Sequence, residues 1–277
     1  MKIPGKLVTV NQHQMHVYYQ AAGPLRPTIV LLAGSGTACP TYDFKALWQL
    51  LKKDYSIAVV ERPGYGWSEI TEKPRDVDTL LEETREALKQ AGISGPFIPA
   101  AHSMSGLEAI YWAQKYREEV SAIIGLDMAV PAAYEEMALP KAFGLTVRIG
   151  QILRRPITTA MVRSHSAVKK RLLTKEEQDD MKQITAQQLL SKNMVSEINY
   201  VKANAKKVAA GACPQISVLC ILADDKNNLK KIPSWGKIHK EYFAANQQTE
   251  FLELNCGHYV HNEEPERVAK AIEEFVN

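Results

Sequence analysis

Nowhere in its 277 residues does this chain string together the roughly 18 apolar residues that a bilayer-spanning helix needs, so no transmembrane segment is expected. The N-terminal MKIPGKLVTVNQHQ also lacks the apolar run of about 7 to 15 residues and the small-residue cleavage site of a secretory signal. A cytoplasmic location is the expectation. Cysteine is scarce and scattered: Cys39, Cys213, Cys220 and Cys256 form no C-x-x-C pair, which argues for reduced thiols and against a zinc site. No metal and no cofactor is expected. A charge excess is missing too, since 34 Lys and Arg offset 31 Asp and Glu and leave a net +3 that gives no reason to expect nucleic acid as a partner. Repeats and low-complexity segments are absent.

With 45% hydrophobic and 23% charged residues, what remains is the composition of a soluble globular protein, long enough for one core carrying an insertion. Residues 6–20, KLVTVNQHQMHVYYQ, hold two alternating runs about a polar tetrapeptide, the pattern of an antiparallel hairpin. Short apolar runs follow at 28–32, 57–60, 97–101 and 120–126. They are separated by helical periodicities at 44–51, at 77–91 before Gly92, and from Leu107 onward. This alternation predicts an α/β fold, a mostly parallel sheet with helices on both faces. Between Pro131 and about Gly211 no strand is expected, only helices at 142–153, 174–190 and 194–208, the second opened by a Thr174–Glu177 capping box. Strands then resume at 218–222 and 251–254, with helices at 235–243 and after Pro265. The expected division is a core of residues 1–130 and 213–277 around a helical insertion of 131–212.

The stretch PFIPAAHSMSGLEAIYW, residues 96–112, reads as strand, tight turn and helix with Ser103 in the turn. A serine there leaves the ladder at the carboxyl edge of the sheet, above the free N–H groups of the next helix. The turn demands small residues two before and two after the serine, and Ala101 and Ser105 satisfy that. On this stretch alone, Ser103 and Ser105 could equally be helix caps.

The earlier loop, TIVLLAGSGTACP followed by IAVVE, allows two readings. As a dinucleotide fingerprint it would place Gly34, Gly36 and Glu61 on a cofactor and make the chain an NAD-dependent oxidoreductase. Cys39 at the third glycine position, Pro40 after it, and the preceding hairpin weigh against this. Alternatively, Gly34-Ser35-Gly36 turns backbone N–H groups toward a developing oxyanion. The Gly64-Tyr65-Gly66-Trp67-Ser68 loop carries little by itself, because GxG is common in turns.

Near the C-terminus, CGHYVHNEEPERV presents His258 just past the last strand, where a base could reach a serine on a central strand. His102 and His261 read as structural. The ordering of LLAGSG, ERPGYGWS, AHSMSG and CGHYVHNEEPERV resembles the α/β-hydrolase superfamily over almost the whole chain, with the helical insertion where that family carries its cap. The resemblance implies that Ser103 is a nucleophile and His258 its general base, with backbone N–H groups of Met104 and the loop at Ser35 forming an oxyanion hole. The chain departs from the family in having A-x-S-x-S for G-x-S-x-G, and Ala33-Gly34 where a His-Gly is common. It also departs at the acid. The usual place, after the strand SVLCILADDKNN, falls on Lys226, leaving Asp225 early; the alternative place, at the end of the strand after the nucleophile helix, holds Asp127. Asp127 is preferred and Asp225 is the alternative.

From Lys141 to Lys175 there are nine Lys and Arg in 35 residues and no Asp or Glu. Such a segment is either a solvated face of the cap or a guide for an acidic substrate or a membrane surface. The resemblance implies a serine hydrolase acting on a small-molecule ester. An aminopeptidase-like amide hydrolase, for which Glu135 and Glu136 could hold a free amine, and a ligand receptor on the same fold are the alternatives.

Overall fold

The computed structural model describes residues 3–23, 26–135, 150–151, 153–224 and 235–277. Its strands are β1 (Lys6–Val10), β2 (His13–Gln20), β3 (Thr28–Leu32), β4 (Ser56–Glu61), β5 (Phe97–His102), β6 (Ala122–Leu126), β7 (Ser217–Ala223) and β8 (Thr249–Leu254). They form one sheet in the order β1-β2-β4-β3-β5-β6-β7-β8. Only β2 runs against its neighbours; from β4 to β8 every pairing is parallel. The predicted α/β architecture is therefore the one observed.

Because side chains alternate across a strand, each apolar run feeds two cores. Val30 and Leu32 of β3, Val60 of β4 and Val218 and Leu222 of β7 face one layer of helices. Ile29, Leu31, Ile57, Val59, Leu219 and Ile221 face the other. The first layer is built from α3 (Val77–Gln90), α4 (Gly106–Lys115) and the later α8 (Lys192–Ala209), with Trp112 fully buried and its indole N–H donating to Glu119 at 2.8 Å. The second layer uses α2 (Lys45–Leu51), just after the short α1 (Pro40–Asp43), and the C-terminal α11 (Pro265–Val276). Each fully buried Leu, Ile or Val contributes about 1.5–3 kcal/mol, which is why runs apolar at every position, rather than alternating ones, occupy the centre of the sheet.

Between β6 and β7 the described residues hold helices and no strand: α5 (Arg154–Ser164), α6 (Ser166–Lys169), α7 (Lys175–Gln188) and α8. The capping box is present, with Thr174 and Glu177 exchanging side-chain and backbone bonds. The helices expected in this segment did not include α5; its Pro156 lies in the first helical turn, where a missing N–H costs nothing. The helix expected at 142–153 falls almost wholly outside the described residues. The strand expected at 120–126 begins only at Ala122, since Arg117–Glu119 form a 3-10 turn. After β7 come α9 (Trp235–Tyr242), β8, α10 (Val260–Glu263) and α11.

Candidate active site

Strand order decides where a site can form. The chain leaves β3 toward β4 on one side, then crosses back to place β5 on the other. Loops that leave the carboxyl ends of β3 and β5 are thus left facing each other at a switch point, the usual place for a ligand in a parallel sheet. Register then aligns the side chains. Leu32 pairs with Ala101, and His102 pairs with Leu126, so Ala33, Ser103 and Asp127 leave the sheet side by side.

Ser103 is partly exposed and adopts φ +54°, a left-handed conformation that non-glycine residues rarely take. Ser105 Oγ lies 2.7 Å from the Leu32 carbonyl and 2.8 Å from that of His102, and the Ala129 N–H donates to the Ser103 carbonyl at 2.7 Å. These bonds hold the turn from three sides. Met104 is the second residue of the single 3-10 turn Ser103–Ser105, a position whose N–H has no intrahelical acceptor. The loop carrying Ser35 touches this turn: a Cβ added to Gly34 would come within 2.8 Å of Ser103 Cβ and 2.9 Å of His102 Nδ1. Glycine is what permits the approach.

His258 follows β8 and keeps its side chain 38% exposed. Its Nδ1 lies 2.6 Å from Asp127 Oδ2. Asp127 is fully buried at φ +50°, and its other oxygen accepts from the Ala223 N–H at 2.8 Å and the Trp235 indole N–H at 2.9 Å. Three donors therefore orient one carboxylate. With Nδ1–H donated to Asp127, the neutral imidazole has its lone pair on Nε2. Asp225, the alternative acid, lies outside the described residues.

His102 has a role the sequence did not suggest. Its Nε2 lies 3.2 Å from the His258 carbonyl, so that nitrogen carries the proton. Burial, with His258 and His261 beside it, holds its pKa well below the usual histidine range, which keeps a second cation away from His258. A second, buried cluster lies next to it. Asp43 accepts from His261 Nε2 at 2.7 Å, from His165 Nε2 at 2.7 Å and from Asn262 Nδ2 at 3.1 Å. His165 comes from the turn between α5 and α6, so this aspartate ties the helical segment to the core.

A cavity of about 60 Å³ lies between the loop after β3 and helices α5 and α7, lined by Gly36, Thr37, Ala38, Cys39, Met161, Val162, His165, Met181, Thr185 and Tyr259. Among the described residues, no Asp, Glu, Lys or Arg lines it. Burial pushes the Cys39 thiol and the Tyr259 phenol up, so both are neutral. Another groove, of about 540 Å³, runs along Glu82, Arg85 and Phe97 at the opposite, amino end of β5.

The family profile described as the alpha/beta hydrolase family matches residues 29–271, most of the chain. The chain belongs to the alpha/beta hydrolase family. Among relatives, it is 35% identical over 284 residues to the uncharacterized protein YbdG of Bacillus subtilis, covering 100% of this chain and 86% of that one. Among solved structures, it resembles Cfl2 from Burkholderia cenocepacia (TM-score 0.74, 18% identity, 98% of this chain and 95% of that one). It also resembles the enol-lactonase from Burkholderia xenovorans (TM-score 0.72, 15% identity, 98% and 99%). At those identities the structural likeness bears on the fold, and the family supports hydrolase as the class of activity.

In this hydrolase the dinucleotide reading fails on Glu61. That carboxylate is fully buried and accepts from the Thr41 N–H at 3.1 Å, the Thr41 hydroxyl at 2.8 Å and the Trp67 N–H at 2.9 Å, leaving nothing for a ribose. Gly34, meanwhile, packs on Ser103 rather than opening to a pyrophosphate. Glu135 is exposed in a groove with Lys202 and Lys206, and Glu136 lies outside the described residues. In the basic stretch, Arg163, Lys169, Lys170, Arg171 and Lys175 are exposed; Lys170 pairs with Glu263 and Lys175 with Asp179. Among the described residues, no helix is long and apolar enough to cross a membrane.

Proposed function

We propose that this hydrolase cleaves a small-molecule carboxylic ester through an acyl-enzyme, with Ser103 as nucleophile, His258 as general base and Asp127 as the orienting acid. The observation that carries the reading is the 2.6 Å contact between Asp127 and His258 Nδ1 at the sheet edge where Ser103 stands in its left-handed turn. In the proposed sequence His258 Nε2 takes the Ser103 proton as Oγ adds to the ester carbonyl. The backbone N–H groups of Met104 and the Ser35 loop hold the resulting oxyanion. His258 then gives that proton to the leaving alcohol. A water, deprotonated by the same nitrogen, releases the carboxylate and restores the serine.

The lining of the cavity beside Gly36, with no Asp, Glu, Lys or Arg among the described residues, supports a neutral acyl or alcohol group at that end. The enol-lactonase among the structural neighbours accords with an ester-type substrate, and a serine hydrolase involved in carbazole degradation accords with a serine nucleophile. The helical segment 131–212 acts in this reading as a cap over the site, and substrate and water reach Ser103 from the cap side. Without a carboxylate in the place of Ser103, nucleophilic displacement of the dehalogenase type is not open to the chain. Labelling with a fluorophosphonate followed by mass mapping tests the proposal, with short acyl esters assayed next. An adduct on Ser103 is expected; its absence overturns the reading.

A further inference from the structure

The segment ERPGYGWS, residues 61–68, takes no part in the chemistry just described, yet it is where the loop after β3 is fastened. Arg62 Nη2 donates to the Ala33 carbonyl at 2.9 Å, and the Gly66 N–H donates to the Ala38 carbonyl at 2.8 Å. The Tyr65 side chain packs against Ala38. Gly66 must be glycine, since at φ +52° an added Cβ would fall 1.7 Å from Glu61 Oε2. The oxyanion-forming loop is thus held at Ala33 and Ala38, on both sides of Ser35.

Arg62 and Tyr65 are in turn gripped by one carboxylate on α8. The Tyr65 hydroxyl donates to Glu197 Oε2 at 2.6 Å, and Arg62 Nε lies 3.3 Å from Glu197 Oε1. The guanidinium stacks 4.8 Å over the Tyr65 ring and reaches 3.5 Å toward Glu108 on α4, the helix behind Ser103. All four side chains are buried, Glu197 and Tyr65 completely. A buried ion network is a costly way to dock a helix, because desolvation cancels much of its attraction, and an apolar contact would do the same at less cost. What a charged fork adds is direction: Arg62 can place one N–H on Ala33 only while Glu197 holds its other side.

We propose that Glu197, reaching in from α8, is a positioning residue for the oxyanion hole, acting on the 33–38 loop through Arg62 and Tyr65. This rests on Ser103 being the nucleophile. It makes the helical segment part of the catalytic apparatus as well as a cover, because displacement of α8 would move the donors at Ser35. Oxyanion donors act only within a few tenths of an ångström of their proper place, so small displacements lower the rate of chemistry more than they weaken substrate binding.

The test measures kcat and KM on an activated ester, with kcat divided by the concentration of serines titrated by fluorophosphonate, so that misfolded molecules do not count. Glu197→Ala and Tyr65→Phe should each lower kcat per titrated serine by about 10- to 100-fold with KM within about threefold, and Glu197→Gln should recover part of the loss. Combined, Glu197→Ala and Tyr65→Phe should cost no more than the worse single change. Asn204→Ala is the control. It cuts other bonds between α8 and the core, those to Arg75 and Val77, and should leave kcat per titrated serine within about twofold. A Tyr65→Phe variant with wild-type kcat per serine, or an Asn204→Ala variant losing as much as Glu197→Ala, would overturn the proposal. If the wild-type protein takes no fluorophosphonate, it is the serine-hydrolase reading that fails.

Discussion

His258 and His261 stand three positions apart, and each engages a buried aspartate, Asp127 at 2.6 Å and Asp43 at 2.7 Å. The contacts are chemically alike and the surroundings are not. His258 keeps its side chain 38% exposed at the carboxyl edge of the sheet, with one nitrogen committed and one available. His261 is fully buried, packed against the rings of Phe44 and His102, and it shares its aspartate with His165 and Asn262. A proton-transfer group needs access at its second nitrogen, whereas a sealed imidazole can only hold elements together. A histidine–aspartate pair is therefore not a signature of catalysis; access and neighbours decide its use.

The sharpest way to break that comparison is to disable each aspartate in turn. Asp127→Asn should lower kcat per titrated serine by about 10⁴, the loss expected when a base loses its orienting acid. Steady-state kinetics on an activated ester check this, and a rate near wild type would move the acid elsewhere, with Asp225 next to be changed. Asp43→Asn should do the opposite, leaving kcat per serine within about threefold while costing about 3–5 kcal/mol, because two imidazole donors and an amide lose their shared charge. For a chain of this length that lowers Tm by roughly 10 °C, readable by calorimetry.

Acid sharpens the contrast further. Burial would raise the Asp43 carboxyl, but His261 and His165 outweigh it and hold it well below the usual carboxylate range. Its contribution to stability is thus complete above that range, starts to fall as pH enters it, and is lost only once pH reaches the depressed value of the folded state. Wild-type Tm should drop between about pH 5 and pH 3 more steeply than that of Asp43→Asn. Equal slopes would show that Asp43 is not the group responsible. The smallest effect is expected at His165, whose Nδ1 accepts from the Ala167 N–H at 3.3 Å while Nε2 serves Asp43. Glutamine there can still donate to Asp43, so His165→Gln should lose only about 1 kcal/mol, or a few degrees in Tm.

Much of this was readable before the fold was known. The apolar runs at β3, β4, β5 and β7 marked strands buried on both faces, and the small residues around Ser103 marked a tight turn. Asp127 was visible as a strand-end acid, but nothing local separated it from Asp225; its distance to His258 is a product of the register between β5 and β6 and of the turn after β8. Asp43, His165 and His261 lie more than 90 positions apart at their widest steps and carry no shared pattern, so no reading of neighbours could join them. ERPGYGWS contributes to the family resemblance, but its Gly64-Tyr65-Gly66 reads by itself as a common turn. Its significance depends on Glu197, which looks from the sequence like one more charged residue on an amphipathic helix.

The sequence by itself determined the alternation of strands and helices, the double-sided core and the kinds of side chain available for chemistry, because periodicity and turn composition act over a few residues. Tertiary structure alone decided which aspartate meets His258, which histidine stays accessible and which carboxylate grips the loop behind the serine. Those are matters of burial and of distances between residues far apart in the chain, and they exist only once the sheet has aligned its carboxyl ends.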